Sequence, residues 1–407
     1  MAQPQQETLA DRLGRFPAER YPVQHATTQF HLGSQLLQRG HLEPAVEALT
    51  VARELFSRVG MRLEAAKSTV MLGVAHRSAS RLDDAARAFT AAGEDLSALH
   101  QPAEEGAAAY NLGLVRQDAG DREAAHAAWM RAREMFLSAG LPARAAAAAR
   151  DHGASLLAAG DAQAALPLLE QAAALAERAG DDPGTAVAAN ALGLAHLAAG
   201  DAPAAVGVLR RALAFVPRTT RPGDHAMVKA NLALAHEQAG STARARLCAV
   251  QALAVAGAAP PVRAQAQALL ARLPGRPHED LLTVLDAEPR EEWVPLLREE
   301  AVRVAELPAE RAVTVRAFLD GVLARPESAY DLAQALLDVL LELPPSAYTP
   351  LVAAVVEACA DRPEQEQERL RAVVGSAMAR FALPQWQRVA IDLNRAAERA
   401  GQPAAWR

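Results

Sequence analysis

The stretch LGLVRQDAGDREAAHAAW, Leu112 to Trp129, decides the fold. Eighty residues on, Leu192 to Leu209 reads LGLAHLAAGDAPAAVGVL, with Leu-Gly-Leu, Ala-Gly-Asp and an Ala pair in the same places. Working outward, Gly40, Gly120, Gly160, Gly200 and Gly240 fall on one forty-residue grid, with Ser80 in the remaining slot. A second grid holds Gly33, Gly73, Gly113, Gly153 and Gly193 and closes on Ala233. Two alanine columns run unbroken through six repeats, Ala45 to Ala245 and Ala52 to Ala252. Four columns in register define a repeat.

Each column has a physical reading. Gly40 and its equivalents follow an apolar-periodic segment, where a positive φ ends a helix. Asp121, Asp161 and Asp201 come next and can cap a following helix. Each repeat is therefore a helix, a tight turn and a second helix. Gly33 and its equivalents lie mid-helix, where glycine costs about 1 kcal/mol against alanine. Repetition of that cost predicts a helix–helix contact too close for a side chain. Ala45, Leu49 and Ala52 share one face of the second helix, as do Ala125, Trp129 and Ala132.

Composition agrees with an all-α chain. Half of the 407 residues are hydrophobic but only 4% are aromatic, so Ala and Leu, strong helix formers, supply the apolar content. The net charge of −6 gives no field for nucleic acid or an anionic membrane. Lysine occurs only at Lys67 and Lys229; Arg dominance reads as GC-rich, bacterial coding bias. Cys248 and Cys359 are too few for a disulfide framework. The N-terminus lacks the basic start and apolar core of a secretory signal. No apolar run approaches the roughly 18 residues of a membrane span. A cytoplasmic protein is expected.

From Thr27 to Gly257 the sequence resembles the tetratricopeptide repeat (TPR) family: Gly113, Ala125, Trp129 and Ala132 stand at that family's offsets, with Gly120 at its turn. The family's first-helix Trp is replaced by Gln29, Thr69, Ala109, Ala149, Ala189 and Lys229. Its Tyr is replaced by Leu36, His76, Arg116, Leu156, His196 and His236. Six extra residues per repeat lengthen the end of the second helix and the start of the next first helix. In this the chain is similar to LGN/Pins, kinesin light chain and Rap-type TPR modules. The resemblance implies a right-handed α-solenoid of stacked helix-turn-helix repeats, its concave face lined by the first helices and used for binding.

The resemblance also implies candidate contacts. Lys67, Arg77, Tyr110, Gln117, Asp118, Arg150, Asn190 and Glu237 stand on the groove line, with Phe30, Ser34 and Met227. Asn111 and Asn231 occupy the slot where some members hold a peptide backbone, which an amide suits by donating and accepting. The carboxylate clamp of chaperone-binding members is not reproduced. The central groove is partly apolar, at Ala147, Ala154, Leu157, Val187, Leu194, Leu197 and Leu234. It fits an amphipathic helix or mixed peptide, and equally the chain's own C-terminal helices.

The organisation expected is an N-terminal segment over 1–26 with a possible helix, six repeats over 27–259, a connecting region over 260–288 and helical hairpins over 289–407. Beyond Gly257, Pro289, Pro308, Pro326, Pro345, Pro363 and Pro384 recur every 18 to 21 residues. Proline suits a first helical turn and is excluded from the interior, so each marks a helix start. The 17 basic and 22 acidic residues after Ala259 carry most of the net charge.

Chemistry finds no motif. Neither phosphate-loop pattern occurs, and neither Cys has a partner at metal-ligand spacing. His76, His196 and His236 share a column, but helix axes pack about 8–10 Å apart while a zinc ligand must sit about 2 Å from the ion. Asp151-His152-Gly153 fills one repeat's Leu-Gly slot. No catalytic residue, metal ligand or cofactor is expected. The function expected is a non-catalytic scaffold or adaptor that binds a protein or peptide partner, with no nucleic acid and no membrane. The alternative is a ligand- or peptide-responsive Rap- or MalT-like regulator with its effector role in the C-terminal helices.

Overall fold

The computed structural model describes residues 9–275 and 277–406, and among these it is all-α: 21 helices, one 3₁₀ turn and no strand. The chain divides into two compact units, 1–215 and 216–407.

In the first unit a short α1 (Leu9–Arg15) precedes five helix pairs: α2 (Pro22–Gln38) with α3 (Leu42–Arg58), α4 (Arg62–Ser78) with α5 (Leu82–Ala98), α6 (Pro102–Asp118) with α7 (Arg122–Ser138), α8 (Pro142–Ala158) with α9 (Ala162–Arg178), and α10 (Asp182–Ala198) with α11 (Ala202–Leu213). The turns explain the regularity. After α2, Gly40 N–H donates to Leu37 and His41 N–H to Leu36, with Gly40 at φ +78°. This double bond satisfies two of the last carbonyls of the helix and reverses the chain in three residues. The same turn closes α3 at Gly60, so the backbone repeats every half period. Asp121, Asp161, Asp181 and Asp201 then accept from the N–H three residues on and cap the next helix. At Ser80 and His100 side chains occupy the left-handed region, at φ +57° and +54°.

The mid-helix glycines are holes for large side chains. A Cβ on Gly33 would lie 2.6 Å from Leu49, on Gly73 2.7 Å from Phe89, on Gly153 2.7 Å from Leu169 and on Gly193 2.6 Å from Leu209. One on Gly113 would lie 2.8 Å from Trp129 Cε2. All five knobs are buried. Each stands sixteen residues after its glycine, and where the sixth repeat carries Ala249 in the knob slot, the glycine slot holds Ala233. Hole and knob therefore change together.

First helices approach one another, α2 on α4, α4 on α6 and α8 on α10; among the described residues no two second helices of this unit come as close. That asymmetry bends the stack with the first helices inside.

The second unit opens with the sixth pair, α12 (Pro222–Gln238) and α13 (Thr242–Leu253). It continues through α14 (Pro260–Arg272), α15 (Pro277–Ala287), α16 (Trp293–Glu306), α17 (Pro308–Ala324), α18 (Ala329–Glu342), α19 (Pro345–Ala360), α20 (Glu364–Met378) and α21 (Leu383–Arg399). Here α13, α15, α17, α19 and α21 pack in succession as one layer, and α16, α18 and α20 as the other. Pro308 and Pro345 begin α17 and α19. Pro363 immediately precedes α20, Pro384 is the second residue of α21, and Pro289 and Pro326 open the turns before α16 and α18. One hydrophobic core runs from Leu247 to Trp406. Asn394 closes its end by donating to the Trp406 carbonyl at 2.9 Å and accepting its N–H at 3.0 Å.

Candidate functional site

The inner face of the first unit carries a row of polar side chains, most of which reach from one first helix to the next. Lys67 on α4 meets Glu104 on α6 at 3.2 Å. Arg77 on α4 donates to Asp118 on α6 at 2.8 Å. Tyr110 on α6 donates to Asp151 on α8 at 2.6 Å, and Arg150 donates to the other oxygen of Asp151 at 2.8 Å. Gln117 accepts from Ser155 on α8 at 2.8 Å. Asn111 is turned back, its amide donating to the Ala107 carbonyl at 2.8 Å. Asn190 is buried on α10. Burial, with the Asp151 carboxylate behind it, pushes the Tyr110 hydroxyl up to about 12, so it remains a donor at any physiological pH.

Six of the candidates therefore join into ladders across α4, α6 and α8, Asn111 bonds back within α6, and Asn190 lies beside them in sequence on α10. Between them Ala147, Leu157, Val187, Leu194 and Leu197 are half-buried and Ala154 is exposed. The other two candidates stand in the second unit and pair with α14. Asn231 accepts from Gln265 at 3.0 Å, and Glu237 takes a two-point contact from Arg272 at 2.6 and 2.5 Å. Sequence reasoning missed Asp151, the residue on which Tyr110 and Arg150 converge. It occupies the slot of Asn111 and Asn231, two before the mid-helix glycine position, so the same offset identifies it once carboxylates are admitted.

A second cluster lies behind this face. The His126 and His152 rings stack at 4.5 Å, both near Trp129. Ser155 donates to Gln117, so the Ser155 hydroxyl accepts from His126 Nε2 at 3.1 Å, which fixes that tautomer. Burial, helped by His126, lowers His152 to about 4. In the His column, His76 and His196 each bury an Nδ1 with no hydrogen bond. Burial lowers the His76 pKa as well.

In the second unit Lys229, at the family's Trp position, donates to Gln251 at 3.1 Å and to Glu299 on α16 at 2.6 Å. His225 lies 3.7 Å from the same carboxylate, and Arg218 meets Glu306 one helix end away. Thus charged pairs tie α16 to α12 and to the segment before it. Burial alone would raise Glu299; Lys229 and His225 outweigh it and hold the carboxyl down to about 2.

With this geometry in place, comparison with known sequences is informative over one segment. Residues 144–218 match the tetratricopeptide repeat family. This part of the chain is tetratricopeptide repeat. The matched repeats span α8 to α11, including the Gly153–Leu169 and Gly193–Leu209 contacts. No curated protein sequence matches the chain. Among solved structures, the chain is similar to the apo form of the quorum sensor NprR from B. thuringiensis, at 14% identity over 78% of this chain and 88% of that one, TM-score 0.45. It is also similar to the apo form of RapI, at 11% identity over 93% and 99%, TM-score 0.43. A third similar structure is the kinesin light chain TPR-like repeats of Podosopora anserina, at 18% identity over 53% and 96%, TM-score 0.37.

Proposed function

We propose that this chain is a non-catalytic interaction scaffold that holds a peptide or helical segment of a protein partner against the first helices of its TPR repeats. The observation that carries this reading is the Tyr110–Asp151–Arg150 junction. It places a fixed hydroxyl donor, a carboxylate and a guanidinium side by side, next to half-buried apolar side chains of α8 and α10. Such a surface offers orientation through a few polar groups and contact area through apolar ones, the usual make-up of a recognition site. Its polar groups already bridge adjacent helices, so a partner meets side chains whose rotamers are fixed, which lowers the entropy lost on binding.

The test is quantitative recovery of partners from the native host with the intact chain and with a Tyr110→Ala, Asn111→Ala, Arg150→Ala, Asn190→Ala variant, followed by calorimetric titration of the purified partner. The variant should keep its far-UV helicity and lose the partner. Undiminished binding by a helical variant places the site elsewhere.

A further inference from the structure

In the second unit α19 and α21 are neighbours in one layer, and between them runs an open cleft of about 480 Å³. Its polar lining is Tyr348, Thr349 and Glu357 from α19 and Arg388, Asp392, Arg395 and Arg399 from α21. The floor includes Val352 and Ala396.

Three arginines on one cleft stand out in a unit that is acidic overall. Most other arginines of this unit close on its own carboxylates, among them Arg298 on Glu342, Arg325 on Asp286 and Arg362 on Asp320. The cleft arginines are different. Arg388 has its guanidinium 4.8 Å over the Tyr348 ring and, among the described residues, no carboxylate partner. Arg395 reaches Asp392 only at 3.9 Å. Arg399 makes no hydrogen bond or ion pair among the described residues. Asp392 is committed elsewhere, accepting from the Tyr348 hydroxyl at 3.0 Å. Tyr348 thus serves the cleft twice, stacking one arginine in place and occupying the carboxylate that would neutralise it. Glu357 is the remaining acidic group, exposed at the far end.

Spacing selects the ligand. At about 1.5 Å rise per residue, Arg388, Arg395 and Arg399 lie about 10 and 6 Å apart along α21. One phosphate or one carboxylate cannot meet all three. An extended peptide can, because its alternate side chains recur every ~6.7 Å on one face. Arginine is also the cation suited to carboxylates, through two parallel N–H···O contacts. A single-stranded nucleic acid fits less well. Its bases need a free aromatic face to stack on, and the Tyr348 ring is covered by Arg388.

We propose that the α19/α21 cleft binds an extended acidic peptide segment of a protein partner, with Arg388, Arg395 and Arg399 pairing its carboxylates. The site is separate from the TPR face.

The test is fluorescence anisotropy of a labelled peptide of alternating glutamate and serine, titrated with the full chain at low salt. Binding saturates, and weakens roughly tenfold or more in an Arg395→Gln, Arg399→Gln variant. Both side chains are exposed, so folding is unaffected; thermal melting confirms it. Glu357→Gln, which removes the uncommitted carboxylate, tightens binding. Arg298→Gln, a charge loss outside the cleft, leaves it unchanged. Four outcomes overturn the proposal: equal binding by the double variant, equal binding of a lysine–serine peptide, displacement by inorganic phosphate at the concentration at which unlabelled peptide displaces, and preference for oligo(dT). The first removes the arginines from the interaction, and the others show a non-selective surface, a single-anion site and a nucleic-acid site respectively.

Discussion

The Lys229 ammonium lies 2.6 Å from the Glu299 carboxylate with only 6% of its side chain exposed, at a position where the repeat family places a tryptophan. A charge replaces an apolar plug, and it holds only while its counter-charge on α16 is present. Removing one partner strands the other, which for a buried pair costs about 3–5 kcal/mol. Lys229→Ala should fall near the lower end, about 3 kcal/mol, because Glu299 keeps some access to water. Lys229→Met with Glu299→Leu should recover most of the loss. Urea titration of the four-member cycle gives the coupling, and additive single losses would show the pair to be independent. The same pair sets an acid limit. Glu299 is held near 2 against 4.5 for a free carboxyl. Its contribution is complete above pH 4.5 and drains away as pH falls from there toward 2. Glu299→Gln should flatten that part of the stability curve.

His152 sets a limit at milder pH. Its folded value near 4 lies below the 6.5 of a free imidazole. The unfolded chain therefore binds the extra proton between those values, and folding weakens as pH falls from about 6.5 to about 4. Above 6.5 the ring is neutral in both states and contributes no pH dependence. Thermal melts across this window should slope downward toward acid for the wild type and less steeply for His152→Gln. Parallel slopes would remove His152 from the acid response.

The hole-and-knob pairing makes a prediction in which a substitution changes sign. Gly113→Ala drives a methyl into the Trp129 ring and should cost about 1–3 kcal/mol. Trp129→Ala alone should cost about 3–5 kcal/mol by opening a cavity. On that background Gly113→Ala should stabilise, by up to about 1 kcal/mol, since alanine is the better helix former. The natural Ala233 and Ala249 already show this combination. Denaturant midpoints of the four proteins decide it, and the idea fails if Gly113→Ala costs the same in both backgrounds.

Ser80 and His100 carry backbone strain that their glycine equivalents avoid. A side chain in the left-handed region costs about 1–2 kcal/mol, of which glycine's greater unfolded entropy returns part. Ser80→Gly and His100→Gly should each stabilise by about 0.5–1 kcal/mol. Gly120→Ala should destabilise in the opposite sense. Chemical denaturation followed by circular dichroism is sufficient to see both.

Much of the fold was written in the smallest residues. Gly113, Gly120, Ala125 and Ala132 specify the close contact, the turn and the interlocking face because small size is what each geometry demands. The half-period turn was harder to read. Gly60, Gly140 and Gly180 share their column with His100 and with Thr220, where Pro217 replaces the usual turn and α11 ends after 12 residues. The candidate face was legible as offsets from the mid-helix glycine, yet its connections were not. Arg77–Asp118 and Tyr110–Asp151 span 41 residues, and nothing local in the chain announces them. The arginines of α21 belong to no motif and were not read from the sequence. The cleft beside them depends on α19 being a neighbour in the same layer, which only folding supplies.

Each hole and its knob lie sixteen residues apart within a single repeat, whereas the polar ladders run from one repeat to the next. A forty-residue block cut at successive half-period turns, as at Gly140 and Gly180, thus takes its packing lock with it and leaves its recognition chemistry behind. Gene duplication or deletion of whole blocks would lengthen or shorten the array without disturbing its architecture, while rewriting the surface at every new junction. For such a chain, changing its length and changing its specificity are the same event.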